Sequence, residues 1–271
     1  MTNRPQTVLV TGASSGLGAA IAAGLTAGGY RVVGTSRQPR GDGGAIPMVA
    51  MDVDDDASVA MAIGQVVALV GRIDAVVNNA GFGIAGAIED TTSDEAGAQM
   101  CTNFLGTHRV CRAVLPLMRA QGGGRIVNVS SLAGIVPLPF QAFYSASKFA
   151  VEAYSEALRI EAKPFGIHVS MIEPGDYATG FTAHRRMTTA SNSASPYHAR
   201  VSRAVAIMAR DEQANRDLGP VVATVRRALE AATPKLRYPT ATAAQRILVA
   251  LKPFLPDAIV EKLLTSTYEA G

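Results

Sequence analysis

Tryptophan is missing from this 271-residue chain, cysteine occurs only twice, histidine four times, and charged residues make up 17%. Each shortage removes a class of protein. Cys101 and Cys111 fall in what reads as a single helix, ten positions apart. That spacing separates them by nearly three turns, about 15 Å, which is too far for a disulfide. Both are expected to be small buried residues, and nothing demands an oxidising compartment. The two cysteines and four scattered histidines form no legible ligand cluster, so no metal is expected. The net charge is only +3, and the basic residues are scattered apart from pairs such as Arg185–Arg186 and Arg226–Arg227. A nucleic-acid binder needs a concentrated basic face, and none is legible. No apolar stretch is long enough to cross a membrane. The opening residues, MTNRPQTVLVTG, run straight into a strand without a signal-peptide core, so a cytoplasmic location is expected.

Hydrophobic residues and glycine, by contrast, are plentiful: 48% and 26 residues. A large core can be buried, and tight strand–helix turns are easily made. Strand signals at Thr7–Val10, Tyr30–Thr35, Ile46–Met51, Asp74–Val77, Arg125–Val129 and Ile167–Ile172 alternate with helical stretches. Those helices are Leu17–Thr26, Ala57–Val70, Gln99–Arg119 and Tyr144–Lys163. Repeated β–α–β units predict an α/β fold, a doubly wound parallel sheet with helices on both faces. The pattern breaks after Pro174. Residues 183–200 are polar and poor in large apolar groups, which predicts a mobile loop. Helical signals return at Val201–Ala209 and Val221–Ala231, with a last strand at Lys235–Tyr238. Residues 241–271 read as a helical C-terminal extension, two short apolar helices broken by Pro253 and Pro256. With no linker and no internal repeat, residues 1–271 are read as a single domain.

Thr11-Gly-Ala-Ser-Ser-Gly-Leu-Gly18 lies between the first strand and the first helix. Glycines let a backbone approach a pyrophosphate, and the amides and dipole of a helix N-terminus favour its charge. At the end of the second strand, where an NAD enzyme commonly carries an acid, the chain reads Ser36-Arg37. No carboxylate repels a 2′-phosphate there, and the Arg37 guanidinium can pair with one. These residues favour NADP(H) over NAD(H). Tyr144-Ser-Ala-Ser-Lys148 opens a helix, and its i,i+4 spacing puts both side chains on one face. An ammonium beside a phenol favours the phenolate, so Lys148 is expected to lower the pKa of Tyr144 and fit it for general acid–base work.

The spacing Thr-Gly-x-x-x-Gly-x-Gly resembles the classical short-chain dehydrogenase/reductase family, and further motifs extend the resemblance over residues 7–180. Ser131 precedes Tyr144 by the family's interval, and Asn103 matches its helical asparagine. The resemblance implies catalytic roles for Asn103, Ser131, Tyr144 and Lys148. Ser131 would bond the substrate oxygen, while Asn103 would hold a water linking Lys148 to solvent. Neighbouring Ser130 is expected to bond nearby backbone. The cofactor set it implies begins with Gly12, Ser14, Ser15, Gly16, Leu17 and Gly18 in the loop, then Ser36 and Arg37. Asp52 and Val53 would contact adenine, and Asn79, Ala80 and Gly81 would line the adenosine side. Tyr144 and Lys148 would meet the nicotinamide end, joined by Pro174, Gly175, Tyr177 and Thr179 of Pro174-Gly-Asp-Tyr-Ala-Thr179. Two departures from the pattern are visible: Ser15 stands where many NADP members carry a basic residue, and Tyr177 replaces an aliphatic one.

The implied activity is hydride transfer between NADP(H) and a secondary alcohol or ketone. A hydrophobic small-molecule substrate is expected from pocket residues Ile135, Val136, Leu138, Phe140, Phe143, Phe181 and Met187. Residues 183–200 would then be a lid over the nicotinamide end. The glycine loop, the Ser-Arg ending and the tail look most like retinol and hydroxysteroid dehydrogenase members, and the family implies a homodimer or homotetramer. A non-catalytic NADPH sensor would lack the tyrosine or lysine. A sugar-nucleotide epimerase or dehydratase is disfavoured by glycine spacing and chain length, and a zinc-dependent alcohol dehydrogenase by the missing ligand cluster.

Overall fold

In the computed structural model, residues 6–39, 44–179 and 185–269 are described. Their strands are β1 (Thr7–Thr11), β2 (Arg31–Ser36), β3 (Met48–Ala50), β4 (Ala75–Asn78), β5 (Ile84–Ala85), β6 (Gly124–Val129), β7 (Ile167–Pro174), β8 (Arg186–Met187) and β9 (Arg237–Thr240). Their helices are α1 (Gly16–Ala27), α2 (Asp56–Val70), α3 (Ser93–Met100), α4 (Gly106–Ala120), α5 (Ala142–Ala162), α6 (His198–Ala214), α7 (Gly219–Glu230), α8 (Ala243–Leu251) and α9 (Asp257–Glu269).

Seven strands form one parallel sheet in the order β3-β2-β1-β4-β6-β7-β9. The alternation of side chains along each strand explains why both faces are covered. Val8, Val10, Val77 and Val127 point to one face, where they pack with Ile21 and Leu25 of α1 and Val225 and Leu229 of α7. Leu9, Val76 and Ile126 point to the other, against Val66 of α2, Val114 of α4 and Leu158 of α5. Each such fully buried side chain contributes roughly 1.5–3 kcal/mol. The strand order reverses between β1 and β4, so their carboxyl ends open a crevice, the usual ligand position in such sheets.

Helix α3 begins earlier than the apolar periodicity suggests. A capping box starts it: the Thr92 hydroxyl accepts from the Glu95 amide, and Glu95 accepts from the Thr92 amide. The helical stretch that follows is interrupted by a π-turn at Cys101–Leu105. Cys101 is consequently only half-buried, with its sulfur 3.6 Å from the Arg109 guanidinium, whereas Cys111 is buried. The expectation of two buried cysteines in one regular helix is corrected there.

The polar segment after Thr179 is more firmly held, where described, than its composition suggests. β8 pairs with β5, and Thr188 and Ser191 are buried. Short hydroxyl side chains supply anchors in place of apolar ones. Ser191 and Ser195 both donate to Asp90, at 2.8 and 2.6 Å, and the Thr189 amide donates to Glu95 at 2.8 Å. Gly86 permits this approach, because a Cβ there would stand 1.9 Å from the Thr188 hydroxyl. Among the described residues no helix is long and apolar enough to cross a membrane. Nor do three His, Cys, Asp or Glu side chains gather into a group that could hold a metal.

Candidate active site

A cleft of about 730 Å³ opens at the carboxyl ends of the strands, and every residue named from the sequence as a catalytic or cofactor candidate borders it. At its floor lies the glycine loop. Gly18 has no room for a side chain: a Cβ would stand 2.2 Å from the Gly12 carbonyl oxygen and 2.4 Å from Asn79 Nδ2. Asn79 Nδ2 donates to the Thr11 and Gly12 carbonyls at 3.0 and 3.3 Å. The Thr11 hydroxyl accepts from the amides of Asn79 and Ala80, both at 2.9 Å. These bonds tie the end of β1 to the end of β4. Helix α1 starts without a side-chain cap and without an acid in its first turn. By contrast, α2 is capped by Asp55 and α3 by Thr92 with Glu95. The open amides and uncompensated dipole of α1 therefore suit an anion.

At one end of the cleft, Ser36 and Arg37 close β2, while Asp52 and Val53 follow β3. The Thr35 and Ser36 hydroxyls are buried without a hydrogen-bond partner among the described residues. Such orphaned polar atoms beside a cleft fit a polar ligand. A nicotinamide dinucleotide fits this donor set.

At the other end stand Ser131, Tyr144 and Lys148. Ser131 and Ser130 follow β6, and helix α5 carries Tyr144 and Lys148. The Tyr144 and Ser131 hydroxyls are hydrogen-bonded, and Ser131 Oγ also accepts from the Ala133 amide at 3.1 Å. Burial pushes the Tyr144 phenol up to about 12, opposed by the bond with Ser131. Burial pulls the Lys148 ammonium down to about 8, opposed by the Glu152 carboxylate. The expected lowering of Tyr144 by Lys148 is thus corrected: the Lys148 ammonium is held by the Val129 carbonyl, and desolvation of the phenolate outweighs it. Ser130 also departs from expectation. Its hydroxyl is buried against Glu152 beside Gly134, with no bond to backbone among the described residues.

Asn103 lies within the π-turn and is 1% exposed, so its amide must be satisfied internally. Nδ2 donates to the Phe82 carbonyl and to Ser147 Oγ, each at 3.0 Å, and Oδ1 accepts from the Phe82 amide at 3.1 Å. The asparagine thereby joins the chain after β4 to helix α5, next to Lys148. π-turns that interrupt helices are frequent at functional sites.

The substrate end differs in part from its sequence-based description. Val136 and Leu138 border the cleft, as does Tyr177, whose buried ring packs with Val127 and Val129. Ile135, Phe140 and Phe143 do not border it, and Met187 is 47% exposed. Met187 lies in the short β8 pairing away from the cleft, and its exposed neighbour Arg186 borders it. Phe181 lies outside the described residues. The missing wall comes from the tail: Leu248 and Val249 of α8, and Leu264 and Tyr268 of α9. Their apolar character was legible, but the surface they would cover was not.

The pattern of the short chain dehydrogenase family matches residues 6–190. Over 268 residues the chain is 40% identical to a 3-ketodihydrosphingosine reductase of Bacteroides thetaiotaomicron, with 98% of each chain covered. A solved short-chain dehydrogenase from Streptomyces avermitilis is similar at 30% identity and a TM-score of 0.79, over 96% of this chain and 95% of that one. One from Burkholderia cenocepacia, solved in complex with NADP, is similar at 26% identity and a TM-score of 0.74, over 98% and 100% of the two chains.

Proposed function

The chain belongs to the short-chain dehydrogenase family, and from that premise we propose that it reduces a ketone on a largely aliphatic substrate with NADPH, or oxidises the corresponding secondary alcohol. The observation that carries this reading is the meeting of Ser131, Tyr144 and Lys148 in one cleft with the Ser36-Arg37 strand end and an apolar wall. NADP(H) would supply the hydride donor or acceptor, held by the glycine loop, Arg37, Asn79, Lys148 and the Pro174–Thr179 segment. Ser131 and Tyr144 would both hydrogen-bond the substrate oxygen. A phenol raised by burial remains protonated at neutral pH, so Tyr144 is charged with the proton that a ketone oxygen needs on reduction. Lys148, one helical turn on, would orient the ribose and return a proton towards Tyr144. Asn103 would hold the water that links Lys148 to solvent.

The Bacteroides relative is named a 3-ketodihydrosphingosine reductase, and Leu248, Val249 and Leu264 offer this chain an apolar wall for a ketone. Residues 183–200 would serve as the lid, with Arg186 already bordering the cleft. Exposed apolar side chains on α5 and just after it, Phe149, Ile160 and Phe165, suit a homodimer or homotetramer. The direct test follows nicotinamide absorbance with purified protein, NADPH or NADH, and a panel of long-chain ketones and secondary alcohols. Oxidation or reduction of the cofactor with a panel member is expected, with NADP(H) favoured. Tight cofactor binding without any turnover would leave a non-catalytic sensor instead.

A further inference from the structure

Next to Lys148 lies a buried carboxyl that borders no part of the cleft. Glu152 follows Lys148 by four residues on α5, so both side chains share one face of the helix, and both are buried. The groups that face Glu152 converge from several elements. Its own helix supplies Lys148 and Glu156, the end of β6 the Ser130 hydroxyl, β7 Glu173, and β9 Arg237. Glu152 Oε2 accepts from Arg237 Nε at 3.0 Å, and Glu173 Oε1 lies 3.2 Å from the same nitrogen. Another arm of that guanidinium is taken by the exposed Glu156. The turn after Ser131 packs directly on this face of α5. A Cβ at Gly134 would stand 2.9 Å from Ser130 Oγ and 3.1 Å from both Glu152 Cγ and the Lys148 carbonyl carbon.

These partners decide which acid keeps its charge. Burial raises both carboxyls, and the Ser130 hydroxyl and Arg237 oppose that rise at Glu152. Glu173 is pushed to about 8 by burial and then by the Glu152 charge, so Glu173 holds a proton at neutral pH while Glu152 keeps the Arg237 bond. A buried ammonium without a counter-ion sheds its proton. The Val129 carbonyl fixes Lys148 Nζ at 2.8 Å but carries no charge. Glu152 is the carboxylate that opposes the loss of the Lys148 proton on burial.

We infer that Glu152 is a positioning residue of this site, its carboxylate held by Arg237 and Ser130 as the buried counter-ion that keeps the Lys148 ammonium charged. The inference rests on the ketone reduction proposed above and adds to it a residue that touches neither cofactor nor substrate.

Glu152→Gln tests this through two readouts. The first is the pH profile of ketone reduction. Its alkaline decline should move about one pH unit or more towards acid, the scale of losing a neighbouring opposite charge, and the rate should recover at acid pH, where Lys148 is charged again. The second needs no turnover: side-chain resonances of isotope-labelled lysine are followed against pH, with the Lys148 signal identified by its loss in Lys148→Met. That titration should move to lower pH by the same amount. Glu152→Asp keeps the charge one methylene further off and should move both readouts by less, which keeps the test open if the glutamine variant does not fold. A loss of rate that is uniform in pH, with the Lys148 titration in place, would mean a merely structural role and overturns the inference. If the Lys148 titration moves but the unaltered protein reduces no ketone, the reduction fails while the counter-ion stands.

Discussion

The Lys148 ammonium donates to the Val129 carbonyl oxygen at 2.8 Å and lies 5.9 Å from the centre of the Tyr144 ring. One carbonyl thus fixes the lysine in a buried place where its pKa falls to about 8, while the Tyr144 phenol stands at about 12. In the ketone reduction proposed above, Tyr144 would give a proton and Lys148 would carry a charge. Reduction should therefore be level at neutral pH and decline as pH rises through about 8. Alcohol oxidation needs the phenolate and should climb with pH. Steady-state profiles in both directions check this, and a reduction rate that rises with pH contradicts it.

Tyr144→Phe keeps the ring but removes the transferable proton. Turnover should drop by about 10²-fold or more, the usual scale of general acid catalysis, while fluorescence titration shows NADPH still bound. Near-normal turnover would reassign the proton donor.

Arg37→Ala should weaken NADPH by about 1.5–3 kcal/mol and leave NADH nearly unaffected, because only NADPH carries the ribose phosphate. Adding Ser36→Asp should then favour NADH through a ribose acceptor that repels phosphate. Kd values for both cofactors decide the point, and equal losses would make Arg37 a structural residue.

Glu173 and Glu152 share one cation: their carboxylates lie 3.2 and 3.0 Å from Arg237 Nε. Burial first, then the Glu152 charge, raises Glu173 to about 8. A carboxyl raised on folding stabilises while protonated; the contribution is complete below the unfolded pKa and is lost as pH climbs through about 8. The melting temperature should fall over that range, and Glu173→Gln, permanently neutral, should flatten the fall. An equally steep decline in the variant would place the sensitivity elsewhere.

Asp90→Ala removes the acceptor shared by Ser191 and Ser195. If residues 188–195 close over bound substrate, amide exchange there should quicken and KM should rise, with cofactor affinity little changed. Ligands should slow that exchange in the unaltered protein. An unmoved KM despite faster exchange would make this a passive loop.

The alternating sheet and the Thr11–Gly18 and Tyr144–Lys148 motifs were legible because they are local: a strand repeats every two residues, a helix every 3.6, and a tight turn demands glycine where the backbone crowds. The interval from Ser131 to Tyr144 depended on likeness to a family, yet it too lies within one strand–helix unit. Other features depended on distant contacts. Nothing near Asn103 announced a π-turn, because the turn is held by a bond to Ser147, 44 residues away. The short β5–β8 pairing joins two residues to two others about a hundred positions on, too few for a periodic signal. Above all, the tail read as apolar helices without a destination. An apolar helix face states that it will be covered, but the hydrophobic effect has no direction. Only the folded sheet, by presenting its open crevice to α8 and α9, decided that Leu248, Leu264 and Tyr268 would meet Asp176 and Tyr144 there.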